Sequence, residues 1–203
     1  MPDFEIENSI KQKGYKLICG VDEAGRGPLA GPVCAAAVIL PENAEIDGLD
    51  DSKKLSEKKR EMLFDIICEK AIAYSIAFGS LEEIEELNIL EATFLAMNRS
   101  IEGLRVKADF ALIDGNRVPK GIKIPCETVV KGDAKSQSIA AASILAKVTR
   151  DRLLLEYDKQ YPEYNFKKHK GYGTKEHTDL ILKLGVCPIH RKSFLKKLLG
   201  NDL

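Results

Sequence analysis

The sequence predicts an α/β domain built on a mixed β-sheet. Three observations carry that expectation. Short, apolar, partly β-branched runs recur along the chain. Segments with apolar residues at helical intervals lie between them. The first two runs are joined by turn chemistry and read as paired strands, so a strand pair precedes the helix–strand alternation, and that order means a mixed sheet.

Taken in order, Tyr15 to Val21 and Val33 to Leu40 are the paired strands, and their near-continuous apolarity places both in the interior. In "LSEKKREMLFDIICEKA", Ser56 is placed to cap a helix whose apolar stripe includes Leu63, Ile66 and Ile67. "IAYSIAFGS" reads as a strand. "SLEEIEELNILEATFLAMNRSIEGL" opens with Ser80 and Glu83 in capping-box spacing and reads as one long amphipathic helix. "ADFALIDGN" is a short buried strand ending at Asp114-Gly115. After the turn-rich "NRVPKG", "IKIPCETVV" is extended, and "SQSIAAASILAKVTRDRLLLEY" is a second long helix opening near Ser136. Its small residues Ala140, Ala141, Ala142 and Ser143 let it sit close to the sheet. From Tyr161 the chain turns basic, with Lys167, Lys168, Lys170 and Lys175 among the lysines. Leu180, Ile181 and Leu184 recur at helical spacing there, so one or two short helices are expected. The division is therefore a catalytic-type sheet domain over 1–160 and a basic helical region over 161–203 packed on it.

The 203 residues, 44% of them hydrophobic, suffice for a packed core, and a net charge of zero argues neither for nor against a polyanionic partner. Five cysteines without a C-x-x-C pair disfavour a disulfide framework and a thiolate zinc site, which leaves reduced thiols in a cytoplasmic protein. The amino terminus is polar, and "VCAAAVIL" is far short of the roughly 20 residues that span a bilayer, so no secretion signal, anchor or membrane partner is expected.

The chemistry concentrates in "ICGVDEAGRGPLAGPV". Asp22 and Glu23 follow the first strand, Asp114 ends a later one and Asp133 precedes the second long helix. Ends of strands in an α/β sheet are where sites assemble. Singly, Asp114 fits an Asp-Gly turn and Asp133 a helix cap. Asp22-Glu23 is different because it interrupts an apolar context. Carboxylates brought together repel and demand a cation, and all-oxygen ligation selects magnesium or manganese; two such ions about 4 Å apart support phosphodiester hydrolysis. His169, His177 and His190 lack the spacing of a helical metal pair and read as solvated or core-satisfied histidines.

Gly25, Gly27 and Ala30 match the dinucleotide pattern G-x-G-x-x-G/A, but Pro28, Gly31 and Pro32 leave no ordinary helix opening, and a strand follows. The better reading is a tight loop whose small residues let backbone and Arg26 approach a ligand's phosphate or ribose oxygens. In "KKHKGYGTKEH", Tyr172 stands between two glycines, placed either to stack on a sugar or base or to pack on the core edge. Lys147 and Arg150, three apart, face either a phosphate backbone or solvent.

Together these segments resemble the type 2 ribonucleases H, specifically the bacterial ribonuclease HII family. The likeness runs from "GVDEAGRGPLAGPVCAAAVIL" through "LDDSKKLSEKKR", "LIDGN" and "VVKGDAKSQSIAAASILAKVTRD" to "HKGYGTKEH". It implies the ribonuclease H-like mixed sheet flanked by helices, with a carboxy-terminal helical region. By the same resemblance Asp22, Glu23, Asp114 and Asp133 match the family's catalytic acids, which bind two magnesium or manganese ions. Gly25, Arg26 and Gly27 match the loop whose backbone senses the 2′-hydroxyl around the scissile phosphate, and Tyr172 the tyrosine packing on the neighbouring deoxyribose. Lys53, in "LDDSKKLSEKKR", and Lys147 are further substrate-binding candidates. The implied reaction is cleavage 5′ to a ribonucleotide in RNA–DNA hybrids and at single ribonucleotides embedded in duplex DNA, leaving 3′-hydroxyl and 5′-phosphate ends. Ribonuclease HIII fits less well, since it carries an additional amino-terminal domain and its loop departs from "GRG". A monomer is expected, and "KSFLKKLLGNDL" shows no clear sliding-clamp motif. The rival from another class is a non-catalytic nucleic-acid-binding module with a structural metal, which metal-dependent turnover would exclude.

Overall fold

The computed structural model describes residues 2–42, 44 and 46–200. The last three residues of the segment weighed for a clamp motif lie outside them. A five-stranded mixed sheet forms the centre. Its strands are β1 (Ile18–Ala24), β2 (Val33–Ile39), β3 (Ala73–Gly79), β4 (Phe110–Asp114) and β5 (Cys126–Val129), in the order β3-β2-β1-β4-β5. The first pair is antiparallel, as is β2 with β3, while β4 runs parallel to both β1 and β5.

The helices are α1 (Glu5–Gln12), α2 (Glu57–Lys70), α3 (Leu81–Leu87), α4 (Ile89–Glu102), α5 (Gln137–Gln160), α6 (Phe166–His169), α7 (Lys175–Leu184) and α8 (Lys192–Leu199). Strand alternation sorts the two faces. Cys34, Ala36 and Val38 pack with α2 and with Ala140 to Ala142 of α5, whereas Cys19, Val21, Ala35, Ala37 and Ile113 pack with α4. α5 lies so close to β1 that a Cβ on Gly20 would overlap the backbone of Ser138. The small residues singled out on that helix are all buried accordingly.

Four expectations change. The first strand runs to Ala24, because β2 pairs with it as far as Ala24 opposite Cys34; Asp22 and Glu23 therefore belong to the strand. Lys16 and Leu17 instead donate their backbone N–H groups to the Asp109 carboxylate. The single helix expected over 80–104 is two, since Asn88 has φ 80° and its side chain accepts from the N–H groups of Leu90 and Glu91, capping a fresh start. The amino terminus, read as merely polar, forms α1. Finally, the tail holds α6, α7 and α8, more helix than expected, and Leu184 is exposed while Ile181 is buried.

α1 has a structural task. Its Glu7 is buried and accepts from the Ser136 hydroxyl at 2.7 Å and the Ser138 N–H at 3.0 Å, while Asp3 exchanges backbone bonds with Lys135 and Gln137. Those contacts fix the start of α5 and the 3-10 turn Gly132–Ala134 before it.

Candidate active site

β1 and β4 are parallel neighbours, with Val21 opposite Ile113, so their last residues rise together at one end of the sheet. Asp22 and Glu23 lie in the last three residues of β1 and Asp114 ends β4. Asp133 comes from the 3-10 turn after β5. The Gly132 N–H donates to Asp114 at 2.7 Å and so ties that turn to the strand end. All four expected acids thus meet at the carboxyl end of the parallel strands, where open α/β sheets place their sites.

Alternation points Asp22 toward α5 and Glu23 toward α4. Asp22 is buried beside Ser143, whose hydroxyl also pairs with that of Ser52 at 2.9 Å. Glu23 faces a cleft of about 320 Å³ that it lines with Arg26, Phe94, Asp114, Asn116 and Arg117. A larger cavity of about 360 Å³, between α4 and residues 121–124, is mostly apolar and remote from the acids.

The electrostatics are those of a site short of positive charge. Burial, then the charges of Glu23 and Asp114, push the Asp22 carboxyl well above the usual range. Burial also raises Glu23, against the opposing pull of Arg26. Asp133 is raised by burial and then by Asp114 and Asp51. Two of the four acids hold a cationic partner: Arg26 lies 3.2 Å from Glu23, and the Lys53 ammonium 3.5 Å from Asp133. Burial opposes the Lys53 charge, but Asp133, Asp22 and Asp51 outweigh it and raise its pKa. Among the described residues no three His, Cys, Asp or Glu side chains form a closed ligand group. The donor set nevertheless suits hard divalent ions: it is oxygen only and mutually repelling, and burial first, then neighbouring acids, raises Asp22, Glu23 and Asp133, which a cation would relieve.

Beside the acids runs the loop from Gly25 to Pro32. Gly25 has φ +97°, and a Cβ there would overlap the Arg150 side chain, so the fold itself requires glycine. Gly27 differs. Its added Cβ would meet nothing nearer than the Tyr172 ring at 3.9 Å. That contact also brings together the two segments that sequence alone left far apart. Tyr172 is 43% exposed, so its ring is available rather than packed into the core.

Lys147 has a setting other than the one expected. Its ammonium pairs with Asp151 at 2.7 Å and sits 5.9 Å from the centre of the Tyr172 ring, so it supports that ring from beneath. Arg150, read as facing phosphate or solvent, is fully buried; its donors all go to backbone carbonyls. The three histidines are core-satisfied. His177 bonds the Tyr172 carbonyl at 2.9 Å and His190 at 3.1 Å, and His169 bonds the Tyr164 carbonyl at 2.8 Å. Sequence reasoning missed Asp51, Glu7 and Arg191 as contributors. Asp51 stood in the quoted "LDDSKKL" beside Lys53, whereas the other two carry no local signal.

Comparison with known proteins agrees with this geometry. A family profile for Ribonuclease HII matches residues 19–197. A Ribonuclease HII of Endomicrobium trichonymphae is 57% identical over 191 residues, 94% of this chain and 91% of its own. The crystal structure of the ribonuclease H2 from Pyrococcus horikoshii OT3 superposes with a TM-score of 0.74 at 29% identity, over 90% of this chain and 97% of that one. Bst-RNase HIII in complex with Mn2+, 17% identical, shares the fold at a TM-score of 0.63, over 86% of this chain and 65% of its own. With the profile spanning the acids, the glycine loop and the tail alike, the chain belongs to the ribonuclease HII family of hydrolytic nucleases.

Proposed function

We propose that the chain is a metal-dependent endonuclease that hydrolyses the phosphodiester 5′ to a ribonucleotide, in RNA–DNA hybrids and at single ribonucleotides within duplex DNA. It leaves 3′-hydroxyl and 5′-phosphate ends and so serves ribonucleotide removal. The observation that carries the reading is a juxtaposition: four charge-deficient acids at the strand ends, and beside them Gly27 opening toward an exposed Tyr172. Family membership in a nuclease family leaves no place for the non-catalytic module.

Asp22, Glu23, Asp114 and Asp133 would hold two magnesium or manganese ions; the donor chemistry fits, and Bst-RNase HIII, of the same fold, was solved with Mn2+. Divalent ions held by these acids would supply a lowered pKa for the attacking water and charge stabilisation for the departing 3′ oxygen. The protein's own groups do the rest. Lys53, with a side chain 77% exposed, neutralises Asp133 and is free to turn toward a phosphate. Arg26 steadies Glu23 at the cleft mouth. Tyr172, held over Lys147 and by His177 through its carbonyl, offers its ring to a deoxyribose. Selection rests on the 2′-hydroxyl rather than on base edges, so base sequence matters little. Duplex affinity comes largely from phosphate contacts, including those of the basic tail, and weakens with salt.

Two matched DNA duplexes test this, one with a single ribonucleotide and one all-deoxy, each with magnesium or manganese and then with chelator. Metal-dependent incision immediately 5′ to the ribonucleotide, absent from the all-deoxy duplex, is expected. Cutting of both would keep the metal chemistry and remove ribose sensing; no cutting by folded protein would remove the reading.

A further inference from the structure

Arg150 and Arg191 head the fully buried side chains by size, at 1% and 0% exposure. Burying a cation is costly when it lacks a partner, so an arginine without a carboxylate must be satisfied otherwise. Here the partners are backbone carbonyls. Arg191 donates from Nε to Gly31 at 2.8 Å, from Nη1 to Arg26 at 3.0 Å and Pro28 at 2.8 Å, and from Nη2 to Gly25 at 2.6 Å. Arg150 donates to Pro32, Ala30 and Lys170. The Arg191 N–H takes the Leu29 carbonyl. Every carbonyl from Gly25 to Pro32 except that of Gly27 is thereby turned onto one of these two residues.

A consequence follows from peptide geometry. In a trans peptide the carbonyl of one residue and the N–H of the next point in opposite directions, and no cis peptide occurs among the described residues. Drawing the Gly25 and Arg26 carbonyls onto Arg191 therefore turns the N–H groups of Arg26 and Gly27 away from it. Among the described residues those two N–H groups find no protein acceptor. Gly27 itself borders open space, where a Cβ would meet nothing nearer than the Tyr172 ring at 3.9 Å. Burial first, then the neighbouring Arg150 charge, holds Arg191 down to about 9, which keeps it protonated at neutral pH.

We propose that Arg191 is a positioning residue for ribose recognition: its guanidinium fork, from the far end of the chain, sets the Arg26 and Gly27 N–H groups as donors to the 2′-hydroxyl oxygen. The inference rests on the proposed ribonucleotide specificity. Arg150 packs against Gly25 but hydrogen-bonds only the later carbonyls of the loop, Ala30 and Pro32, and that of Lys170, so it serves as a comparison for the guanidinium that holds the Gly25 and Arg26 carbonyls.

The test uses the full-length protein and the variants Arg191→Lys and Arg150→Lys, each keeping a buried charge while losing the planar fork. Incision of the single-ribonucleotide duplex is measured alongside the dissociation constant for the all-deoxy duplex and the melting temperature. Arg191→Lys is expected to lower kcat/KM by roughly ten- to a hundredfold, the scale of a displaced hydrogen-bond donor, with all-deoxy affinity changed by less than about threefold. Arg150→Lys is expected to lose melting temperature to a similar degree with a smaller loss of incision. Unchanged incision by Arg191→Lys overturns the proposal, as does equal loss in both variants in step with melting temperature. Failure of the wild type to cut the ribonucleotide duplex overturns the functional reading itself. Should Arg191→Lys not fold, the wild type decides by amide NMR in chelator. The Arg26 and Gly27 N–H resonances should shift with the ribonucleotide duplex and not with the all-deoxy one, and identical responses to the two would overturn the proposal.

Discussion

Around Asp22, carboxylates are brought together with too little positive charge; around Gly25 to Pro32, two buried guanidiniums are brought together with carbonyls and no carboxylate. The two regions adjoin, since Arg26 of the loop touches Glu23 of the acid group. One is left electrostatically unfinished, which suits a place where cations bind and charge develops. The other has every carbonyl from Gly25 to Pro32 but that of Gly27 held by Arg150 or Arg191, which suits a surface whose remaining donors must not move. On the proposed reading the difference teaches that chemistry and selection are separable, although Asp22, Glu23 and the loop lie in one chain segment from Asp22 to Pro32.

The comparison breaks most readily at Asp22. Asp22→Asn should reduce turnover by about a thousandfold or more, since it removes a charge at the reacting centre. The same change should raise the melting temperature by about 2–4 °C, the scale of 1 kcal/mol in a domain of this size, because it removes a buried carboxylate whose ionisation burial and two neighbouring acids oppose. A thermal melt and a steady-state assay check both halves, and a destabilised variant would contradict the account of an unfinished site.

Next in size is the contrast between two glycines. Gly25→Ala forces a Cβ into Arg150 at a positive φ and should destabilise by about 1–3 kcal/mol, with incision lost as the loop shifts. Gly27→Ala meets no such obstacle and should melt like the wild type while losing about tenfold or more in incision of a ribonucleotide duplex. Denaturant titration beside the incision assay separates the two. Equal stability losses would show that Gly27 also answers to the protein.

Tyr172→Ala should weaken the preference for a ribonucleotide duplex over an all-deoxy one by about tenfold, more than it weakens general duplex affinity, as expected of a stacking ring worth about 1–3 kcal/mol. Competition binding reads this directly, and equal losses on both duplexes would make the tyrosine a general contact.

A further comparison concerns pH. Burial holds His177 and His190 down to about 4 in the folded chain, against about 6.5 when unfolded. Between those values the unfolded chain binds more protons, so stability is full above about 6.5 and falls as pH drops toward 4. The urea midpoint should decline over that window, and the slope should shrink in His190→Gln. A midpoint independent of pH would mean that the pair takes up protons without strain.

Much of this was legible in the sequence, and what escaped shares a cause. The acids showed because Asp22-Glu23 breaks an apolar run, and Ser56, Ser80 and Ser136 showed because caps are local chemistry; each accepts the backbone N–H three residues on. The split at Asn88 was equally local and was overlooked, since an asparagine inside "ELNIL" is itself a cap signal. α1 also left a trace, with Asp3 accepting from the Glu5 N–H and Gly14 at φ +101° beyond its end. By contrast, Arg191 lies 166 residues from the carbonyl of Gly25 that it holds, and Glu7 lies 129 residues from the hydroxyl of Ser136. No periodicity or spacing encodes such a meeting. For the same reason Arg150 looked like half of a basic pair on a helix surface until the tertiary packing buried it.

The claim that reading survives without chemistry is tested most directly by binding in an inactive background. Asp22→Asn would be titrated with the single-ribonucleotide duplex and with its all-deoxy match, and the titrations repeated with Gly27→Ala added. The account predicts tighter binding of the ribonucleotide duplex by Asp22→Asn, and loss of that preference, with all-deoxy affinity kept, in the double variant. Equal binding of both duplexes by Asp22→Asn, or a preference indifferent to Gly27→Ala, would contradict it.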